Sequence, residues 1–262
     1  MKENMLKKCL VFGVALLITG ISAITATGTE FGQSYQPPEV VYVDDDYDSS
    51  TPGWGYDHFD NIPEGVIAVQ INGTVNVYSG IYYGNIGITK SLELVGERAS
   101  TTIINGKNLS DVVHIKEDWV SISGFSITNG SNGIMCTADH IQISGNIISN
   151  NFEWGVWLSG SYNVVTGNSI DDNGHPTSGT IGAAGGIYLP LAFNCKISKN
   201  NIRNNKETNA FFFKSMLNLW TRNYWDRARF LPYIIFGIQA IIPPIFWIKI
   251  DWIPAKIPYE IS

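Results

Sequence analysis

Between residues 133 and 205 short apolar runs recur in a fixed order. Gly133-Ile134-Met135-Cys136, Gly155-Val156-Trp157-Leu158 and Gly186-Ile187-Tyr188-Leu189 are three copies of one segment. Each is followed by a second apolar group (Ile141/Ile143, Val165, Cys195/Ile197) that leads into a polar corner ending at Asn146, Asn168 or Asn200. A third apolar segment then ends at Asn151, Asn173 or Asn205. Both Asn series advance by 22 residues and then by 32, one repeat plus an insertion between Gly174 and Gly185. A fixed period of this length marks a solenoid. Three period-2 segments per repeat, separated by Gly/Asn/Ser corners and free of any helical stretch, predict an all-β parallel β-helix. The corner Asn residues tolerate left-handed backbone and can bond their copies in adjacent coils, so they read as structural ladders and not as a site.

The same pattern organises the flanks. Val75/Val77, Ile86/Ile88, Leu92/Leu94 and Ile103/Ile104 are degenerate coils in phase with Val113/Ile115, Val120/Ile122 and Phe125/Ile127. Counting on to Leu217/Leu219 gives about six coils, a rod of roughly 30 Å at the ~4.8 Å strand spacing. Val40 to Val43 reads as an opening strand, and Phe59 to Ile71, with Asp60 or Asn61 as N-cap, reads as a short helix closing the open end. The expected organisation is therefore 1–26 signal peptide, 27–72 linker, opening strand and N-terminal cap, 73–226 parallel β-helix, and 227–262 an irregular C-terminal cap. Phe230 to Ile248 is almost uncharged, but its Pro residues suit a cap better than a membrane helix.

Composition narrows the class. The net charge of −6 argues against nucleic acid, which needs a basic face. Lys2, Lys7 and Lys8 before the apolar Cys9 to Ile18, with Ala23 or Ala26 as cleavage residue, read as a secretory signal. Cleavage would take the charge from −6 to −8 by removing three Lys and one Glu. The alternative is an uncleaved N-terminal anchor; no other membrane span is expected. Sequons at Asn72, Asn108 and Asn129 fit an exported chain. Cys136 and Cys195 fall at inward positions on different columns and read as small core residues. Asp44, Asp45, Asp46 and Asp48 lack the Gly and distal Glu of a calcium loop and read as a solvated turn.

Several segments carry a resemblance: Tyr42-Val43-Asp44-Asp45-Asp46, Gly80-Ile81-Tyr82-Tyr83, Leu94-Val95-Gly96-Glu97, Asn223-Tyr224-Trp225, Asp251-Trp252 with Pro254-Ala255, and Pro258-Tyr259. With the Gly-Ile-x-Leu coils they resemble secreted, largely archaeal β-helix repeat proteins, those with NosD-type periplasmic copper-binding and carbohydrate-binding and sugar-hydrolysis domains. That resemblance implies a right-handed helix outside the cytoplasm. It implies no particular activity, since function does not follow from fold.

Glycoside hydrolysis needs two facing carboxylates ~5–10 Å apart. Asp171-Asp172-Asn173-Gly174-His175 resembles part of the polygalacturonase motifs, but the Gly-His-Gly and Arg-Ile-Lys segments are missing. Gly80-Ile81-Tyr82-Tyr83 resembles one pectin methylesterase segment without its Asp- and Arg-bearing companions. A lyase would need a calcium cluster and an Arg or Lys base on one face; only Lys196, Lys199 and Arg203 come near one another, with no partnering acids. Copper wants clustered His, Met or Cys. Aligned coils put only His114 beside Met135, with His140 and His175 on other corners, so no cofactor or metal is expected.

The x residue of each Gly-Ile-x-Leu strand points outward. Reading down the coils gives His114, Met135, Trp157, Tyr188 and Phe212 as a candidate ligand-binding column. This register puts Phe211 and Phe213 inward beside Ile187 and Leu189. Such a stripe is either a stacking surface for sugar rings or is covered by the Gly174–Gly185 insertion. The leading expectation is an exported, non-catalytic β-helix binding a polysaccharide or a cell-surface glycoprotein on one flat face. The alternatives are a polysaccharide-active enzyme with acids near Asp171/Asp172, a structural surface-layer component, and a NosD-like copper-related protein.

Overall fold

The computed structural model describes residues 36–108, 110–174, 184–241 and 244–261. The expected signal peptide, Leu109 in the second sequon, and most of the Gly174–Gly185 insertion with His175 lie outside the described residues. The chain winds as a right-handed parallel β-helix with three sheets of nine, seven and eight strands. The seven-stranded sheet takes one strand from every coil, from Gly80–Tyr83 to Tyr224–Trp225, so seven coils stack.

The period-2 pattern packs as expected, with each short strand putting its apolar residues inside. One interior column runs Val75, Leu94, Ile122, Ile143, Val165, Ile197 and Trp220. A second runs from Tyr82 through Ile104, Ile127, Ile148, Ile170 and Ile202 to Trp225. Cys136 and Cys195 are free thiols in this core, and burial pushes Cys136 up to about 12.

At the corners the chain bends inward, and backbone groups that no sheet can pair enter the core. Asn side chains pair them. Asn168 Nδ2 donates to the carbonyls of Ile143 (2.9 Å) and Thr166 (3.2 Å) and to Asn200 Oδ1 (3.0 Å). Its own Oδ1 accepts from the Asn146 backbone N–H at 3.0 Å. Asn151, Asn173 and Asn205 repeat this geometry on the next corner. The first ladder extends beyond the expected rungs to Asn223 and ends on Asp251, a fully buried carboxylate that accepts from Asn223, Arg222, Ile253 and Trp225 Nε1.

Val40–Val43 adds to the first sheet beside Gly73–Val77. The helix spans Ile62–Ala68; Asn61 Oδ1 accepts from the Glu64 N–H at 3.0 Å, and Pro63 sits in the first turn, where its missing N–H costs nothing. Gly65 disfavours a helix by propensity, yet contact demands it: a Cβ there would meet Val43 Cγ2 at 2.7 Å. The acidic segment before it holds two local turns, in which Asp44 accepts from the Asp46 N–H and Asp48 from Ser50, while Asp45 reaches out of the segment to accept from the Ile81 N–H.

The C-terminal cap is a β-hairpin and not irregular chain. Tyr233–Ile241 runs parallel to Thr208–Phe213 in the third sheet, and Pro244–Asp251 returns antiparallel. Tyr233 stacks on Trp225 at 4.0 Å and closes the last coil. No helix among the described residues is long and apolar enough to cross a membrane.

Truncating a ladder amide should orphan several buried groups at once, at about 1–3 kcal/mol each. Asn168→Ala is predicted to lower the unfolding free energy by about 3 kcal/mol in urea titrations, whereas exposed Thr137→Ala stays within about 0.5 kcal/mol. Asp251→Asn, which turns an acceptor of five donors partly into a donor, should cost about as much as Asn168→Ala; a loss under about 0.5 kcal/mol for either would show that the ladder is dispensable.

Candidate functional site

The third sheet aligns Gly87, His114, Met135, Trp157 and Tyr188 in register on successive coils. His114, Met135, Trp157 and Tyr188 are half-buried, as outward residues of a sheet should be. The fifth member is not the one expected. Tyr188 pairs with Phe211, and Leu189 with Phe212, so Phe211 continues the column while Phe212 is 1% exposed in the core. Three consecutive phenylalanines carry no phase of their own, and the expected register buried the wrong pair. The ladder supplied the missing signal. The inward residue lies five after the corner Asn in Asn151 to Val156, and five after Asn205 is Ala210, not Phe211. A glycine follows in the next strand because a Cβ at Gly237 would sit 2.5 Å from the Phe212 ring.

The column runs on to Phe236, which pairs with Phe211 and is 64% exposed. One further residue escaped the sequence reading. Trp154 is buried and stacks on Tyr188 at 5.0 Å, while Trp157 meets the same ring edge-on at 6.1 Å and Phe211 lies 6.0 Å away on a further side. Tyr188 is thus the fixed centre of an aromatic cluster, and burial pushes its phenol pKa upward. Two residues along each strand, Lys116, Thr137 and Ser159 form a parallel polar row. His114 adds an imidazole whose pKa is lowered by partial burial and by Lys116, against the opposing pull of Asp111 at 3.9 Å. At neutral pH it is an uncharged donor and acceptor. The face therefore offers an aromatic ledge beside hydroxyl, amine and imidazole groups.

Elsewhere the described chain holds less chemistry than the motifs suggested. Asp171 is held on both sides: Arg203 grips it with two bonds of 2.9 Å, and Ser169 Oγ donates to it at 2.5 Å. Lys196, Lys199 and Arg203 were expected to lack an acid, and this pair corrects that for Arg203. Asp172 occupies the left-handed turn beside it (φ 55°) and is exposed. His114 and Met135 do adjoin, but among the described residues no group of three or more His, Cys, Asp or Glu could hold a metal ion. His140 lies on another corner, stacked between Trp119 (4.0 Å) and Tyr162 (5.2 Å), which covers both imidazole faces and one face of each outer ring.

Comparison with a family model agrees on architecture. A family model described as "right handed beta helix region" matches residues 111–230. Among solved structures, alginate lyase from Paenibacillus sp. str. FPU-7 is similar at a TM-score of 0.46 and 15% identity, covering 68% of this chain and 73% of that one. Pectin methylesterase from carrot is similar at 0.44 and 13% identity, covering 79% and 74%. Neither likeness is close enough for an activity to travel with the fold. No match is found among curated proteins.

The revised register has a direct check. Phe212→Ala should destabilise the protein by about 3–5 kcal/mol in denaturant titrations, as loss of a core ring does, while Phe211→Ala should cost under about 1.5 kcal/mol. The reverse ranking would restore Phe212 to the surface.

Proposed function

We propose that this chain is an exported, non-catalytic β-helix protein that binds a polysaccharide or a cell-surface glycoprotein along the outer face of its third sheet. The observation carrying the reading is the unbroken column His114–Met135–Trp157–Tyr188–Phe211–Phe236, set in register beside Lys116, Thr137 and Ser159. Apolar ring surface beside hydrogen-bonding groups is what a pyranose presents a match for, since its C–H face is apolar and its rim carries hydroxyls. A coil spacing of ~4.8 Å lets an extended chain touch successive coils. The half-buried rings and the exposed Phe236 leave apolar surface along one line for a partner to cover. The non-catalytic reading is supported by the two acids of the polygalacturonase-like segment: Asp171 is committed to Arg203, and Asp172 sits at a turn, not across a cleft from it. Export accords with the basic, apolar and small-residue order of residues 1–26.

Two measurements test this. The secreted protein should begin at Ile24 or Thr27 on N-terminal sequencing; full-length, membrane-retained chain would favour an anchor. On a glycan array the wild-type protein should bind, and Trp157→Ala should weaken binding by about 1 kcal/mol, roughly fivefold, with little change in melting temperature. A large fall in melting temperature with binding intact would make Trp157 a packing residue and remove the proposed face.

A further inference from the structure

The aromatic column ends beside a cleft of about 590 Å3, within the ~300–1,000 Å3 typical of small-ligand sites. Residues 205–210 form one wall and Asp226 to Phe236 the other. Phe236 belongs to both column and cleft, so the two surfaces are continuous.

The cleft is built from fixed polar groups. Arg229 lies over the Tyr233 ring at 4.7 Å and donates from Nε to the Trp225 carbonyl at 3.4 Å, while Trp225 closes the opposite face of that ring at 4.0 Å. This stack immobilises the guanidinium, and among the described residues its two terminal nitrogens have no hydrogen-bond partner. Facing it, Asn205 Nδ2 donates to Asn209 Oδ1 at 3.0 Å, and Asn209 Nδ2 donates to Asp226 Oδ2 at 2.6 Å. The Asn204 N–H donates to Asp226 Oδ1 at 2.9 Å. Each Asp226 oxygen is held by one bond and keeps a second lone pair for a ligand. A preset fork of donors, a preset pair of acceptors and an exposed ring at one rim meet the three demands of a sugar unit: its hydroxyl acceptors, its hydroxyl donors and its apolar face.

Charge decides which sugar. The lining sets the Asp226 carboxylate beside Arg229. A uronate or sulfated unit would bring its own anion against Asp226, whereas hydroxyls of an uncharged unit can donate to Asp226 and accept from Arg229. We propose that this cleft binds a neutral pyranose unit of the glycan chain that lies along the third sheet. The inference rests on the reading of that sheet as a glycan platform.

Titration calorimetry on the full chain with neutral hexasaccharides of glucose, mannose or xylose, and with hexagalacturonate, tests it. At least one neutral hexasaccharide should bind tenfold or more tightly than hexagalacturonate. Arg229→Met keeps the apolar stem over Tyr233 and removes only the donors, and it should cost about tenfold in that affinity. Phe236→Ala, at an exposed position that need not perturb folding, should cost about fivefold. Arg229→Lys, which retains a cation but not the fork, should recover part of the Arg229→Met loss. Tighter binding of hexagalacturonate, or of no neutral hexasaccharide at millimolar concentration, overturns the inference. Loss on Trp157→Ala with Arg229→Met and Phe236→Ala unchanged overturns the cleft and leaves the platform standing. Loss on the two cleft variants with Trp157→Ala unchanged supports the cleft and removes the platform.

Discussion

Every coil of this molecule depends on finding partners for backbone groups that the corners turn into the core. Sheets satisfy the strands, but the peptide groups between strands point inward with no water to receive them, and an unpaired buried group costs about 1–3 kcal/mol. The two Asn ladders are the solution. One amide can donate to carbonyls of its own and the preceding coil while accepting from the backbone of that preceding coil, so each rung satisfies groups on two levels. Aspartate offers no donor and glutamine is too long, which is why the residue repeats. Asp251 is the informative exception. At the last level no further rung remains, donors converge from Arg222, Asn223, Trp225 and Ile253, and an acceptor-only carboxylate closes the series.

The ladders also fix the outer surface. Once corner amides lock adjacent coils in register, equivalent residues stand at one strand spacing, and any residue type repeated in the sequence becomes a continuous stripe. The candidate ligand face, the Trp119–His140–Tyr162 stack and the Asp171–Arg203 pair are all such columns. The first keeps polar groups beside it and continues into a concavity, the second closes both faces of its central imidazole, and the third pairs its charges.

The C-terminal hairpin converts a solenoid end into a wall. Its inner face carries Ile235 and Gly237 over the last coil, and its outer face leaves Phe236, Phe246 and Ile248 exposed. By folding back beside residues 205–210 it also creates the cleft.

What the sequence determined by itself was periodic. The 22-residue step, the inward Ile and Val positions, the Asn rungs, the Asn61-capped helix and the outward run His114, Met135, Trp157 and Tyr188 are all local or translational, and a repeated pattern has few ways to pack. What tertiary structure alone decided lies where period or contrast failed. Phe211, Phe212 and Phe213 are equally apolar, so only pairing with Tyr188 and Leu189 and the close approach at Gly237 select the buried ring. Trp154 joins the aromatic cluster from a repeat position that the next coil fills with Gly185, Arg203 reaches Asp171 from 32 residues away, and the hairpin forms from a segment whose uniform hydrophobicity hides its alternation. The cleft is furthest from the sequence, because residues 205–210 and 226–236 belong to different levels and meet only when the hairpin folds back. Repeats specify their own neighbours through identical contacts, while a non-repeating contact between distant segments has no copy in the chain from which it could be read.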